Sequence, residues 1–428
     1  MKKIIWTALV VLCTAIFQAS CSKSSVDDQS PVDDRFAEIV YVQTNDPDQN
    51  AIIAYQNNGD GQLQQLAGSP YLTGGKGIDH SSTQVVNSNA SDNEVIISND
   101  RRFLLAVNSG SNTIAVFDIH SDGTLSPVPD SPFPSGGVLP VSLAHWQQYI
   151  YVANKNKYPL QSPNQKPNYI AFLLEGDGSL TSVPGARVDL PTTSTPCQVL
   201  VSRNNPFLFG AEFTNNISRY IMNNNGTLGS IPGLSYVPAA GVYGLCQHPA
   251  QNILYAGFPR EGVTGVYEII PTTGAVNYIT SVNTGSGASN MRSNNGGDRL
   301  YVLNPYQNAV SVLNTSNAGS PTVLAKLTLK NPGPIYRSHA TPFPSSECFS
   351  LGLSSNEQYL FVVSQNTNWG YTPDTGNNNW LHVLAVQGDG TLTEPGEPIQ
   401  LPVGIAVFPR GVAIHNISEQ WAASNIVK

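Results

Sequence analysis

Along most of the chain the apolar residues fall in short runs closed by small polar residues, with none of the three-to-four spacing that marks an amphipathic helix. One run, aromatic and β-branched, recurs seven times: IVYVQTN (39–45), FLLAVNSG (103–110), YIYVANKN (149–156), FLFGAEFTN (207–215), ILYAGFP (253–259), RLYVLNPYQN (299–308) and YLFVVSQN (359–366). A second run follows each copy, as in TIAVFDI or WLHVLAV, and then usually a turn and a third run, as in SDGTLSPV, GDGSLTSV or NNGTLGSI. The Asp-Gly and Asn-Gly pairs accept positive φ and make tight hairpins. A further run precedes each copy, for example VIISNDRR, CQVLVSRN and FSLGLSSN, so every repeat supplies four antiparallel strands.

A repeat of this length, all in strands, predicts an all-β fold, a seven-bladed β-propeller over residues 36–416 with four antiparallel strands per blade. The last run, PRGVAIHN (409–416), has the pattern of an innermost strand with no partners after it, whereas the first copy lacks one before it. The C-terminal strand is therefore expected to complete the N-terminal blade and close the ring, which leaves no sheet face uncovered. Composition agrees: 12% of residues are charged, with 37 glycines and 31 prolines, as an all-β chain rich in turns requires.

The N-terminus is different in kind. Lys2 and Lys3 precede an apolar run from Ile4 to Phe17, too short to cross a bilayer and suited to a secretory signal. Ala19, Ser20 and Cys21 then resemble the lipobox of bacterial lipoproteins, which implies lipidation of Cys21, a signal peptide over 1–20 and a flexible tether over 21–35. Ser22 gives no aspartate retention signal, so the expected location is the outer membrane, periplasmic or surface-exposed, with membrane contact through the lipid only. Residues 417–428 form a tail. The net charge of −8 makes the chain a poor partner for nucleic acid. Of five cysteines, Cys13 leaves with the signal and Cys21 takes lipid. Cys197, Cys246 and Cys348 are then an odd set without close spacing, so neither a disulfide framework nor a zinc site is indicated. With no phosphate loop, HExxH, nucleophile elbow or calcium loop, no metal and no cofactor are expected.

The YVTN-like runs, the DGxL hairpins and the closing PRG together resemble the seven-bladed lactonase-type propellers, the group of 6-phosphogluconolactonase and YVTN-repeat surface proteins. The resemblance covers about 36–416. It implies a site at the mouth of the central channel. Counting back from each innermost strand's hairpin places Asn93, Leu139, Cys197, Tyr243, Ser289, Phe349 and Arg410 around that mouth. The family's histidine, arginine and glutamate positions hold Cys197, Tyr243 and Pro259 here. Opening a lactone needs a base for water and donors for the oxyanion, and the candidates that remain are Glu212, at the end of a second strand, and Arg410. His339 lies in a loop leading to the mouth; His248 sits in a hairpin at the opposite face.

The longest connections, 73–92, 155–168, 331–347 and 366–380, all leave strand ends that face the mouth. Trp369, Tyr371 and Trp380, with Tyr158 and Tyr336, stand in them among Asn, Ser and Gly, a mixture suited to saccharides, peptides or other small neutral molecules. The leading expectation is thus a monomeric binding propeller on the cell envelope that uses this face. The alternative is a lactone hydrolase working through Glu212 and Arg410.

Overall fold

The structure, a computed structural model, describes residues 37–78, 91–156, 164–214, 216–233, 238, 241–336, 343–366, 378–402, 404–405 and 407–417. Among them, seven antiparallel sheets of four or five strands succeed one another along the chain, with one small extra hairpin, Ile335–Tyr336 against Phe343–Pro344. These sheets are the blades of a propeller. Their innermost strands, from blade 1 to blade 7, are Arg410–Asn416, Val95–Ile97, Pro140–Trp146, Pro196–Val201, Leu245–Gln247, Met291–Ser293 and Ser346–Leu353.

The second strands are the recurrent runs of the sequence, and five of them, including Phe103–Asn108, Tyr149–Asn154 and Phe207–Glu212, are buried at every position. Each sheet is held between two others, so both faces of its second strand must be apolar. Continuous runs, not alternation, are the result. Seven clusters of buried side chains fill the spaces between blades. Blade 1 is closed as the sequence predicts: Arg410–Asn416 pairs antiparallel with Glu38–Gln43, from Glu38 opposite Asn416 to Gln43 opposite Arg410.

The Asp-Gly hairpins also fasten blade to blade. Gly178, at φ +85°, lies so close to Phe103 of the preceding blade that a Cβ would come within 2.7 Å of its ring. Gly61, at φ +76°, makes the same approach to Tyr359 and so joins blade 1 to blade 7. Only glycine meets both the backbone angle and the contact.

Antiparallel alternation sends the second-to-third-strand connections and the blade-to-blade connections to one end of the ring. The strand ends Asn154 and Asn168, Asn366 and Trp380, and Leu72 and Val95 all open there. This is the loop-bearing end.

Candidate functional site

Ser91 to Glu94 lead into the innermost strand of blade 2, but they lie across the ring before joining it. The amide of Asp92 donates to the Cys197 carbonyl of blade 4 at 3.2 Å. Asn290, entering blade 6, donates its side-chain amide to the Ser91 carbonyl at 2.9 Å and to the Phe349 carbonyl of blade 7 at 2.7 Å. Arg410 of blade 1 donates to Ser91 Oγ at 2.8 Å, and Leu143 of blade 3 donates to the Asn93 carbonyl at 3.0 Å. A segment bonded to blades 1, 3, 4 and 6 of a seven-membered ring must span its mouth.

An ion pair pins this strap. Arg292, in the innermost strand of blade 6, donates through both terminal nitrogens to the Asp92 carboxylate at 2.9 Å and through one of them to Asn93 Oδ1 at 2.9 Å. Burial works against the arginine's charge. The Asp92 carboxylate and its hydrogen bonds outweigh it and raise the Arg292 pKa further above its ordinary value, as a bidentate partner should.

Four of the positions placed at the mouth by counting do converge. Cys197, Tyr243 and Phe349 share one buried cluster with Phe213, and the Arg410 guanidinium lies 4.4 Å from the centre of the Phe349 ring. Tyr243 meets Phe213 edge-on at 6.3 Å. Asn93 belongs to the strap, Ser289 turns its hydroxyl to the Leu303 carbonyl, and Leu139 packs in the core of blades 3 and 4. Trp380, half-buried, begins the third strand of blade 7 opposite Ser364. Cys21, Tyr158, His339, Trp369 and Tyr371 lie outside the described residues, as does the side chain of Tyr336. His248 accepts the Ala250 and Gln251 amides in its own hairpin.

Glu212 and Arg410 are not brought together: no hydrogen bond or ion pair joins them among the described residues. Glu212 is buried in blade 4, where it accepts the hydroxyls of Ser194 and Ser218. Burial raises its pKa, and these hydroxyls oppose the rise. In other blades the same place, the last residue of the second strand, holds Asn108, Asn154 or Asn304. Each ties the loop entering its blade to the third strand, as Asn154 does with Ser135 and Asn168. Glu212 is this clip in blade 4.

The carboxyl nearest to Arg410 by hydrogen bonding is instead Glu94, reached through Ser91: Arg410 Nη1 donates to Ser91 Oγ, which donates to Glu94 Oε1 at 2.5 Å. Burial pushes the Glu94 carboxyl up, against the pull of Arg410. The count along the sequence missed Ser91, Asp92, Glu94 and Arg292. The available signal was SDNE (91–94), a polar cluster directly ahead of an apolar strand, and an arginine inside the innermost strand of blade 6, since charges so placed need partners.

Blade 7 contains a further polar line. Ser364 Oγ lies 2.9 Å from His382 Nε2, and His382 Nδ1 lies 2.7 Å from Glu394 Oε1. The order is that of a nucleophile, base and orienting acid. Its burial says otherwise: Ser364 and His382 are 0% exposed, and Ser364 also donates to Asn308 Oδ1 at 3.2 Å. The thiols are no better placed as nucleophiles, because burial raises the pKa of Cys197 despite Lys155 and that of Cys348 to about 12. No group of three His, Cys, Asp or Glu residues that could hold a metal ion occurs among the described residues.

Solved structures with this architecture are numerous. A candidate 6-phosphogluconolactonase from Bacteroides fragilis superposes with a TM-score of 0.64 at 15% identity, over 91% of this chain and 99% of its own. The periplasmic gluconolactonase of Pseudomonas aeruginosa gives 0.66 at 14%, over 89% and 99%, and a protein from Lactobacillus plantarum 0.64 at 17%, over the same shares. No family model matches the sequence, and no curated protein does. The chain is a seven-bladed β-propeller that shares the fold of these structures. At these identities the likeness defines the architecture and leaves the chemistry to the residues.

Proposed function

We propose that this protein is a binding propeller, held to the outer membrane by a lipid on Cys21, that takes a saccharide, peptide or other small molecule on its loop-bearing end. One observation carries the reading: the strap 91–94 lies across the mouth where a lactonase-type site would open, and Asp92 and Arg292 are bonded to each other there. Hydrolysis needs a carboxylate or histidine free to activate water beside donors for the oxyanion. Glu212 is held by two serines, and Cys197, Tyr243 and Pro259 stand where the resemblance places histidine, arginine and glutamate. A scaffold with its longest connections on one end supports recognition there.

The test is binding of purified residues 22–428 to a glycan array and a peptide library, with and without 366–380. Binding that the deletion removes supports the reading; binding unchanged by it counts against this face. For the anchor, labelling of cells with a fatty-acid analogue should mark the wild type and not Cys21→Ser. Equal labelling would overturn that part.

A further inference from the structure

Three polar atoms at the loop-bearing end are buried and have no hydrogen-bond partner among the described residues: Gln43 Oε1, Glu94 Oε2 and Arg410 Nη2. Their residues are 1%, 4% and 4% exposed, and all three line one pocket at the meeting of blades 1, 2 and 3.

The remaining atoms of each side chain fix which atom faces the pocket. Gln43 Nε2 donates to the Val107 carbonyl at 2.7 Å, so the amide oxygen is left over. Arg410 spends Nε on Gln365 Oε1 at 3.1 Å and Nη1 on Ser91, so Nη2 is left. Glu94 Oε1 takes the Ser91 hydroxyl, so Oε2 is left. One donor and two acceptors therefore converge, each a buried polar atom whose lack of a partner is unfavourable.

The pocket measures about 10 Å³, close to the space of one water-sized oxygen group. Ile78, Val107 and Val141 complete its wall. An anionic oxygen would be repelled by Glu94, and an ammonium cannot accept from Arg410. A hydroxyl does both jobs, accepting from Arg410 Nη2 and donating to Glu94 Oε2 or Gln43 Oε1. We propose that this pocket anchors one hydroxyl of a neutral polyol or sugar, the hydroxyl competing with water for the place. The proposal rests on the reading of the loop-bearing end as a binding surface and narrows its ligand to neutral hydroxylated compounds.

The test uses residues 22–428 with D-glucose, D-mannose and myo-inositol as probes and D-glucuronate as the anionic control, followed by saturation-transfer NMR and by soaked crystals. At least one neutral probe should bind, and a ligand hydroxyl should lie within about 3.2 Å of Arg410 Nη2. Two variants should weaken that binding about tenfold, the worth of one charge-assisted hydrogen bond. Arg410→Lys keeps the charge and removes Nη2; Val141→Ile adds one carbon to the wall and leaves every polar atom in place. Should Arg410→Lys fail to fold, Val141→Ile decides. Binding unchanged in the variants overturns the anchor and leaves the binding reading standing. Glucuronate binding more tightly than the neutral probes, water alone in the pocket of saturated crystals, or no neutral probe binding at about 50 mM overturns it as well.

Discussion

Asp92 and Arg292, separated by 200 positions in sequence, meet as a two-pronged ion pair across the mouth of the ring, each contact 2.9 Å. Asp92 is 1% exposed in its side chain and Arg292 26%. The pair joins blade 6 to the strap that enters blade 2, so it fastens the strap across the mouth.

Asp92→Ala should therefore cost about 3 kcal/mol, the low end for breaking a buried pair because Arg292 keeps some contact with water. Urea unfolding measures it. The double variant Asp92→Ala with Arg292→Ala should lose less than the two single losses combined; strict additivity would mean that the two charges do not act on each other.

Glu212 predicts a pH dependence. Its folded pKa is raised above the ordinary 4.5, so the folded state holds this proton more tightly than the unfolded chain. The stability it lends is full below about pH 4.5 and is lost as pH rises through the folded value. Glu212→Gln should thus be more stable than the wild type at pH 8, relative to their difference at pH 4. A variant whose relative stability is the same at both, by urea midpoint, would show that the carboxyl is not desolvated.

The Ser364, His382 and Glu394 line should be inert. A fluorophosphonate probe is expected to leave the native protein unlabelled, and Ser364→Ala should cost about 1–3 kcal/mol through the lost partners of His382 and Asn308. Stoichiometric labelling of Ser364 would make it a nucleophile.

Cys197, Cys246 and Cys348 are buried, and burial raises the pKa of each. Ellman's reagent should find almost no thiol in native residues 22–428 and all three in guanidinium. Fast reaction of one thiol in the native state would place it at an open site.

The ring was legible in the sequence because its causes are local. Burial of a strand on both faces writes a continuous apolar run, and a tight hairpin writes Asp-Gly; both survive without knowledge of neighbours. The mouth was legible only in part. Several innermost strands begin with a register shift, between Pro140 and Ser142, Pro196 and Gln198, and Cys348 and Ser350, and each shift re-aims the residues before it. Counting five places back finds Cys197, Tyr243, Phe349 and Arg410 but puts Leu139 and Ser289 with them. Glu212 was chosen by its place at a strand end, where pairing with Ser194 and Ser218 depends on a loop whose path the sequence does not disclose. The crossing of 91–94 is set by Asn290, Arg292 and Cys197, far off in the chain, and no local pattern announces it.

On the proposed function the strap 91–94 spans the mouth and the propeller binds without hydrolysing. The most direct measurement is ring opening of δ-gluconolactone and related sugar lactones by residues 22–428, followed by pH-stat against buffer alone. No rate above background is predicted; sustained turnover that disappears in Glu212→Gln or Glu94→Gln would contradict it.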